Sequence, residues 1–420
     1  MSKPPVPPEL ARAYVSVDLP AISGVVRSEL EDFCVEEVPI YEPCGEGEHL
    51  YLWVEKRGIP TNEAVRRLAR WLGVPRRAVG YAGQKDARAL TRQWISIHGA
   101  AADAAPENLG DSQLTVLQAR RHKNKLKVGH LRGNRFTLTI RGAGAGEEAA
   151  RAVLSRLEQR GVPNYFGLQR FGRDRTTHRL GAALVHEDPE AFAELLLHGA
   201  RPSQGEAEPS GASPSILEAR AALAQGDHAG ALAAFPRSCS AELALCRALA
   251  KGKPAEQALR AVSFKMRVFY VAAFQSLLFN QYLSRRLERI DQVEEGEVCN
   301  LHRNLAAFKV EDPAVEQPRC DALEISPSGP LFGRRLLRPS ETSSAWADEE
   351  AVLAAEGSGL GAELSTALGS KPLGSRRPLR VPLSEVALRK EGEDLVLSFF
   401  LPKGCYATSV LEEMFREQTD

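Results

Sequence analysis

One carboxylate in the sequence lies among cations in a pattern that suits catalysis. Asp86 stands among Lys85, Arg88 and Arg92, just after a glycine and just before a strand-like run. A free aspartate has a pKa of about 3.9, and neighbouring cations favour its ionised form. Such a carboxylate can act as a nucleophile or an electrostatic stabiliser, but it is unsuited to donating a proton. The alternative is an aspartate in a surface turn that pairs with an arginine.

A second candidate is a pair of side chains in the run 130–136. Asn134 and Phe136 lie two residues apart in a predicted strand, so both project to the same face. An amide and an aromatic ring on one face can hydrogen-bond and stack on a single base. The pair alone is a weak signal, because the same spacing occurs in any half-buried strand.

A third segment, residues 163–172, alternates aromatic side chains with glycine, arginine and amides. This composition suits stacking on unpaired bases and hydrogen bonding to their edges. It equally suits a tightly packed corner between domains. Both interpretations stay open at this point.

The signatures of cofactors and metals are missing from the sequence. The glycine-rich run 142–146 has the spacing GxGxG, and Glu147 and Glu148 stand where a pyrophosphate would need a positive helix end. This run is therefore predicted to be a strand-to-helix loop. The cysteines form no CxxC pair and no cluster with zinc spacing. We predict that the protein has neither a cofactor nor a metal.

The charges balance overall but are unevenly distributed. There are 54 basic and 54 acidic residues in the whole chain. From Lys56 to Arg92, however, there are ten basic residues and only two acids, and residues 113–146 contain eight basic residues and no acid. This asymmetry predicts one basic face that could meet a nucleic acid. The alternative is an ordinary solvated surface.

Cysteine use and hydropathy predict the compartment. The seven cysteines are odd in number and scattered, which is typical of free thiols in a reducing environment. The first residues show no signal-peptide pattern, and no apolar run approaches the ~20 residues that span a bilayer. The expectation is a cytoplasmic protein without a membrane partner.

The elements that would position these residues follow from local patterns. Four runs rich in β-branched and aromatic residues are predicted strands, namely 33–38, 49–55, 93–98 and 135–141. Residues 61–72 are a predicted helix that Thr61 caps and that packs through Ala64, Leu68 and Leu72. Residues 147–161 are a second helix, which Gly161 ends. Strands and helices in this order favour an α+β domain.

The second half of the chain has a different character. Residues 180–290 are rich in alanine and leucine and predict helices, interrupted by a flexible loop at 201–215. Residues 263–290 predict one long amphipathic helix. Strand-like sequence returns only at 379–386 and 394–401. The simplest account is an α+β domain interrupted by a largely helical insertion.

Ordered motifs connect these segments with a known family. In chain order they are Glu31-Asp32-Phe33-x-Val35-x-Glu37, Gly45-x-Gly47-Glu48-His49-Leu50-Tyr51, Lys56-Arg57-Gly58, Ala82-Gly83-x-Lys85-Asp86, Gly133-Asn134-x-Phe136, Asn164-Tyr165-Phe166-Gly167-x-Gln169-Arg170-Phe171-Gly172, Phe274-Gln275-Ser276-Leu277-Leu278-Phe279-Asn280, Pro330-Leu331-Phe332-Gly333, Arg376-Arg377-Pro378-Leu379-Arg380 and Phe399-Phe400-Leu401-Pro402-x-Gly404-x-Tyr406-Ala407-Thr408-Ser409. The sequence resembles the TruD family of tRNA pseudouridine synthases from about residue 20 onward. The specificity comes from the number and order of the motifs.

The resemblance implies a fold, a reaction and a partner. The fold is a pseudouridine-synthase catalytic domain with a mixed, mainly antiparallel sheet at 1–161 and 373–420, interrupted by an insertion domain of the TRUD type at 162–372. The reaction is the isomerisation of uridine to pseudouridine in tRNA, at position 13, by a monomeric enzyme. Wider or different RNA targets, messenger RNA among them, are the alternative.

The resemblance also assigns residues. Asp86 corresponds to the nucleophile, and Phe33, Asn134, Phe136 and Tyr406 correspond to residues that contact the substrate base. The family commonly has a lysine before the Phe33 motif, where it pairs with the aspartate. This chain has Arg27, which keeps the charge but changes the geometry.

A net isomerisation needs no redox cofactor, metal or energy source. Glycoside hydrolysis ordinarily uses two carboxylates, but uracil leaves as a delocalised anion, so one can suffice. Asp86 could act at the ribose or add to C6 of the base, and the sequence does not choose. Three rival functions are an RNA-binding module that has lost catalysis, a nucleoside hydrolase and a purely structural protein.

Overall fold

The chain folds as two units, each built from more than one part of the sequence. The computed structural model describes residues 6–100, 111–199, 213–357, 361–364 and 372–417. The first unit, which we call the sheet unit, comprises Ser16–Val162 and Val381–Arg416. The second, which we call the helical unit, comprises Met1–Val15, Pro163–Arg380 and Glu417–Asp420. No helix within the described residues is both long enough and apolar enough to cross a membrane.

The strands of the described residues are numbered in chain order. They are β1 (Phe33–Pro39), β2 (His49–Arg57), β3 (Val79–Tyr81), β4 (Leu90–His98), β5 (Leu114–His122), β6 (Leu131–Ile140), β7 (Val162–Pro163), β8 (Val298–Leu301), β9 (Ala307–Lys309), β10 (Ile325–Leu331), β11 (Ser375–Pro378), β12 (Arg380–Val381), β13 (Ser384–Glu391) and β14 (Asp394–Pro402). The four strands that the first half of the sequence predicts correspond to β1, β2, β4 and β6. The sequence does not predict β5, because its polar and basic residues hide the alternation.

The helices are likewise numbered along the chain. They are α1 (Thr61–Trp71), α2 (Glu147–Arg160), α3 (Thr177–Val185), α4 (Pro189–His198), α5 (Pro214–Ala224), α6 (His228–Ala234), α7 (Ser240–Leu249), α8 (Ala255–Leu259), α9 (Phe264–Arg286), α10 (Pro313–Asp321), α11 (Ser344–Ala355) and α12 (Ala407–Phe415). The loop predicted at 201–215 lies largely outside the described residues, and α5 begins at Pro214.

The sheet unit is organised around one eight-stranded sheet. Its order is β13-β14-β6-β1-β4-β2-β5, and β3 pairs with β4. β1 and β4 are parallel, whereas the other six pairings are antiparallel. The predicted α+β class, with a mixed and mainly antiparallel sheet, is therefore confirmed.

One row of directly opposite residues crosses six consecutive strands of this sheet. Directly opposite side chains lie on the same face of a sheet. From β14 to β5 the row reads Phe399, Phe136, Val35, Thr91, Lys56 and Leu114. It passes from aromatic through small to charged side chains, so one face of the sheet carries both a ring cluster and a lysine.

Helix α1 covers the β2 end of this face. Ala64 and Leu68 are fully buried against Leu52 and Ile95, as the predicted helix face requires. The predicted cap is wrong, because Pro60 occupies the N-cap position. The Thr61 hydroxyl instead donates to the side-chain oxygen of Gln93 at 2.9 Å, since both groups are buried and need a partner.

The glycine-rich run is a loop between β6 and α2, as predicted, with a short turn of 3₁₀ helix at Gly144–Gly146. Gly161 ends α2 with a φ of 78°, a left-handed value that glycine adopts without strain. Helix α12, which the sequence does not predict, ties back to the start of the sheet unit. The Glu413 carboxylate accepts from both the Ser16 amide and hydroxyl, at 3.1 and 2.7 Å.

The long helix of the helical unit is α9. Its N-cap is Ser263, whose side chain accepts from the Met266 amide. The predicted long helix is confirmed by α9, but its amphipathic character is not, because every residue in the stretch 273–280 is buried. A helix that is buried on all sides over two turns lacks a polar stripe. It therefore forms the core of this unit.

The helical unit also contains strands that the sequence does not predict. A four-stranded sheet has the order β11-β10-β8-β9, so strand structure does not first return at 379–386. The strands are short, and β10 contains Pro327 and Pro330, which weaken a strand pattern. The predicted strand at 379–386 is itself divided at Pro382 and Leu383 into β12 and β13.

The contact between α3 and α9 depends on Gly181. A Cβ atom at this position would lie 2.1 Å from the Tyr270 carbonyl oxygen. We therefore expect Gly181→Ala to lower the free energy of unfolding by about 1–3 kcal/mol, because overpacking forces the helices apart. Urea denaturation measures this change.

The matched control is Gly167→Ala. Gly167 has an extended backbone with a φ of −64°, and no atom lies within 4 Å of an added Cβ. This variant should unfold like the wild type. Equal stability of the two variants would contradict the close packing of α3 on α9.

Candidate active site

Asp86 lies in the loop between β3 and β4, with a donor on each carboxylate oxygen. The Arg27 guanidinium is 2.9 Å from Oδ2, and the Arg88 amide donates to Oδ1 at 2.9 Å. The aspartate side chain is 31% exposed, so a substrate atom could reach it. The loop thus presents an oriented carboxylate to solvent.

The cations that flank Asp86 in the sequence do not pair with its carboxylate. The Lys85 ammonium lies 2.7 Å from the Glu37 carboxylate, and Arg92 pairs with Glu55 at 2.9 Å. The expectation of a carboxylate held by its sequence neighbours is therefore wrong for their side chains. The partner is Arg27, because the fold brings the segment before β1 beside the β3–β4 loop.

Arg27 makes two contacts that fix its guanidinium. The central carbon of the guanidinium, Cζ, lies 4.1 Å from the centre of the Phe33 ring, while one guanidinium nitrogen pairs with Asp86. A planar guanidinium can stack on a ring and bind a carboxylate at once. Arg27 also has a left-handed φ of 63°, which is uncommon for a residue with a side chain and is typical of functional sites.

Phe33 and Phe136 meet on the same face of the sheet. Their ring centres are 6.3 Å apart in an edge-to-face arrangement, and Phe136 stacks on Phe399 at 5.3 Å. Phe33 is only 3% exposed and Phe136 only 6%. The structure therefore brings together Arg27, Phe33, Asp86 and Phe136, but the two rings also belong to the core.

Asn134 lies on β6 directly opposite Glu37 of β1 and Leu401 of β14. Its side-chain oxygen is buried and has no hydrogen-bond partner among the described residues. An unpaired buried acceptor costs free energy unless a ligand satisfies it. A donor that reached this oxygen would satisfy it.

Tyr406 is a candidate residue that makes no described contact with Asp86. It is 44% exposed and immediately precedes α12. Within the described part of the chain, no hydrogen bond, ion pair or ring contact joins it to Asp86. Its loop is held by Lys403, which donates through its amide to the Arg132 carbonyl at 3.0 Å and through its ammonium to the Gly129 carbonyl at 3.1 Å.

A buried polar network behind the loop is not predicted by the sequence. Lys56 is fully buried, and burial lowers the pKa of its ammonium to about 8. Burial also raises the pKa of Glu37, against the opposing effect of Lys85. The sequence feature that could have revealed this network is Lys56, because its charged side chain takes the next place in the apolar alternation of Leu50, Leu52 and Val54.

The segment 163–172 belongs to the helical unit and is mostly packed. Tyr165 is buried and its hydroxyl lies 3.0 Å from that of Ser284. The Asn164 amide nitrogen donates to the Pro378 carbonyl at 2.9 Å. These contacts favour the packing interpretation, while Phe166 and Arg170 remain partly exposed.

The basic stretch of the sheet unit follows β5 and the loop after it. Lys123 pairs with Glu46 at 2.5 Å, and the Lys125 ammonium donates to the Arg77 carbonyl at 2.5 Å. Lys127 is exposed. No group of three or more histidine, cysteine, aspartate or glutamate side chains could hold a metal ion within the described residues.

Comparison with known proteins defines the class to which this fold and site belong. The family model for tRNA pseudouridine synthase D (TruD) matches residues 9–414. The chain belongs to the TruD family.

Individual relatives agree with this assignment over almost their full length. A tRNA pseudouridine synthase D from Syntrophotalea carbinolica is 43% identical over 409 residues, which cover 96% of this chain and 98% of the relative. One from Thermus thermophilus is 38% identical and covers 96% and 92%. A crystal structure of a Methanosarcina mazei protein assigned as tRNA pseudouridine synthase D superposes with a TM-score of 0.79 at 28% identity and covers 97% of both chains.

The burial of Phe136 generates a prediction about stability. Phe136→Ala should lower the free energy of unfolding by about 3–5 kcal/mol, because a buried ring is lost. Phe264→Ala is the matched control, since this ring is 61% exposed, and it should change stability by less than about 0.5 kcal/mol. Denaturant titration measures both, and an unchanged Phe136→Ala midpoint would contradict the ring cluster.

Proposed function

We propose that this protein isomerises uridine to pseudouridine in tRNA, at position 13, with Asp86 as the nucleophile and without a cofactor. The observation that carries the proposal is the Asp86 carboxylate, 2.9 Å from the Arg27 guanidinium and partly open to solvent. Membership of the TruD family and relatives that bear the name tRNA pseudouridine synthase D support the reaction and the substrate.

The reaction exchanges one bond between base and ribose for another. The N1–C1′ bond breaks, C1′ joins C5, the C5 proton leaves to solvent and N1 gains a proton. One carboxylate suffices because the departing uracil delocalises its charge, unlike an ordinary sugar leaving group. Asp86 acts either at the ribose or at C6 of the base, and both routes use the same orientation by Arg27.

The substrate base is proposed to lie against Phe33, Phe136 and Asn134. Uracil offers an N3–H donor between two carbonyl acceptors, and the unpaired Asn134 oxygen would accept from that N–H. Leaving the RNA stack costs a few kcal/mol, which contact with the aromatic rings would offset. Tyr406, which is exposed, would approach the base from its loop when tRNA binds.

The domain assignment, the oligomeric state and the compartment are part of the same proposal. The sheet unit contains all the proposed site residues and would be the catalytic domain, and the helical unit would be the insertion. A monomer in the cytoplasm remains the expectation from the sequence. Light scattering tests the monomer, and a pseudouridine assay on transcripts other than tRNA tests the alternative of wider RNA targets.

The nucleophile is tested with Asp86→Asn. This variant should form no pseudouridine in a tRNA transcript and should bind it within about an order of magnitude of the wild type, because phosphate contacts dominate affinity. Asp18→Asn is the matched control, since Asp18 also pairs with an arginine, Arg156, at 3.0 Å but is well exposed. Pseudouridine formation by Asp86→Asn would refute the assignment.

The basic stretch is tested by salt dependence. Charge reversal at Lys123, Lys125 and Lys127 should flatten the plot of log affinity for tRNA against log salt, because each lost phosphate contact removes about 0.9 from the slope on a duplex and about 0.7 on a single strand. Turnover at saturating tRNA should persist. Lys390→Glu, an exposed lysine on β13, is the control, and an unchanged slope in the triple variant would locate the RNA elsewhere.

A further inference from the structure

Lys56 occupies an unusual position behind the proposed nucleophile. It is fully buried at the end of an apolar row on β2. Its ammonium donates to the carbonyl of Asp86 at 2.7 Å and to that of Ile59 at 2.8 Å. The carbonyl of Lys85 lies 3.5 Å away. Three N–H donors thus face three main-chain acceptors, two of them in the loop that carries Asp86.

Other bonds hold the same loop, but at other residues. The Gln93 amide donates to the Gly83 carbonyl at 3.0 Å, and the Lys85 amide donates to the Thr61 hydroxyl at 2.9 Å. The Lys85 side chain pairs with buried Glu37. Among the described residues, Lys56 supplies the side-chain donor to the main chain of Asp86 itself.

We propose that Lys56 is a positioning residue for the isomerisation, whose charged ammonium fixes the main chain of Asp86 so that Arg27 can orient the carboxylate. The inference rests on the proposed function of Asp86. A neutral amine has only two N–H donors and a lone pair, so one of the three carbonyls would face that lone pair. The protonated form is therefore the one that fits the loop.

The surroundings of Lys56 supply few opposing charges. Asp86 and Lys85 are the charged residues of the facing loop, and Glu37 on β1 is already paired with Lys85. The residues opposite Lys56 on β4 and β5 are Thr91 and Leu114, which are uncharged. Burial lowers the pKa of Lys56 to about 8, although Asp86 raises it in part.

The rate of isomerisation and the contribution of Lys56 to stability should therefore respond to pH in opposite directions. As the pH rises through about 8, Lys56 loses its proton in the folded protein, and the rate of isomerisation should fall. An unfolded lysine keeps its proton up to about 10.4, so the unfolded state binds more protons between these values. The contribution of Lys56 to stability then increases with pH. A merely structural lysine would not make the rate fall while its own contribution to stability rises.

The first experiment measures the single-turnover rate on a tRNA transcript between about pH 7 and pH 9.5, the range in which a lysine with a lowered pKa titrates. The wild-type rate should fall above about pH 8. In Lys56→Arg the fall should disappear, because arginine stays protonated throughout this range. A wild-type rate that does not fall, or a Lys56→Arg rate that falls at the same pH, would overturn the proposal, since the substrate or another group would then be titrating.

The second experiment removes the donors without changing the pH. Lys56→Met should lower the single-turnover rate by about 10²-fold, the effect of a misplacement near 1 Å, while tRNA affinity stays within about threefold because phosphate contacts are intact. Lys390→Met, on the exposed side of β13, is the control and should keep the wild-type rate. Circular dichroism and thermal denaturation check folding, and the wild-type pH profile decides the question if Lys56→Met does not fold.

The outcomes separate this inference from the proposed function. If the wild type forms no pseudouridine, the proposed function fails. If the wild type is active and folded Lys56→Met keeps a rate within about twofold at about pH 7, where the wild-type lysine is protonated, then only the positioning role of Lys56 fails.

Discussion

The bonds that a buried ammonium makes to the β3–β4 loop fix the part of the sheet unit that carries Asp86. Removing the Lys56 charge from water costs several kcal/mol unless well-placed acceptors compensate. The compensation comes from the carbonyls of Ile59 and Asp86, so the loop cannot change its path without leaving a buried charge unsatisfied. The position of the Asp86 main chain is therefore linked to the burial of β2.

The face of the sheet that is proposed to bind the substrate base also contributes to stability. Phe136 stacks on Phe399 and meets the edge of Phe33, so these rings contribute to the core by burial. Asn134, one position along the same face, leaves an acceptor unpaired. A core that ends in an unsatisfied polar atom gives up some free energy of folding, and a substrate donor would recover it.

Patterns within single segments predict the features that depend only on neighbouring residues, such as individual strands. Richness in β-branched and aromatic residues locates β1, β2, β4 and β6. The chemistry of one segment makes Asp86 a candidate, and the family resemblance assigns it as the nucleophile. The partner Arg27 comes from family resemblance, because its contact with Asp86 requires the parallel pairing of β1 with β4, which no local pattern encodes. β5 and the strands of the helical unit escape prediction, since short or basic strands lack a clear alternation. The expected role of Lys85 is wrong because burial, which sequence spacing does not show, pairs it with Glu37.

Arginine at position 27 has a physical consequence beyond keeping the charge. Its guanidinium covers the Phe33 ring at 4.1 Å while it binds the Asp86 carboxylate, and a lysine ammonium could provide the ion pair but not a planar surface of this kind. The left-handed backbone of Arg27 costs on the order of 1–3 kcal/mol. That cost is sustained because two independent contacts, one to a ring and one to a carboxylate, fix the side chain. Arg27 thus binds the carboxylate of Asp86, and Lys56 binds the main-chain carbonyl of the same residue. Together these contacts restrict the group that is proposed to attack the nucleotide.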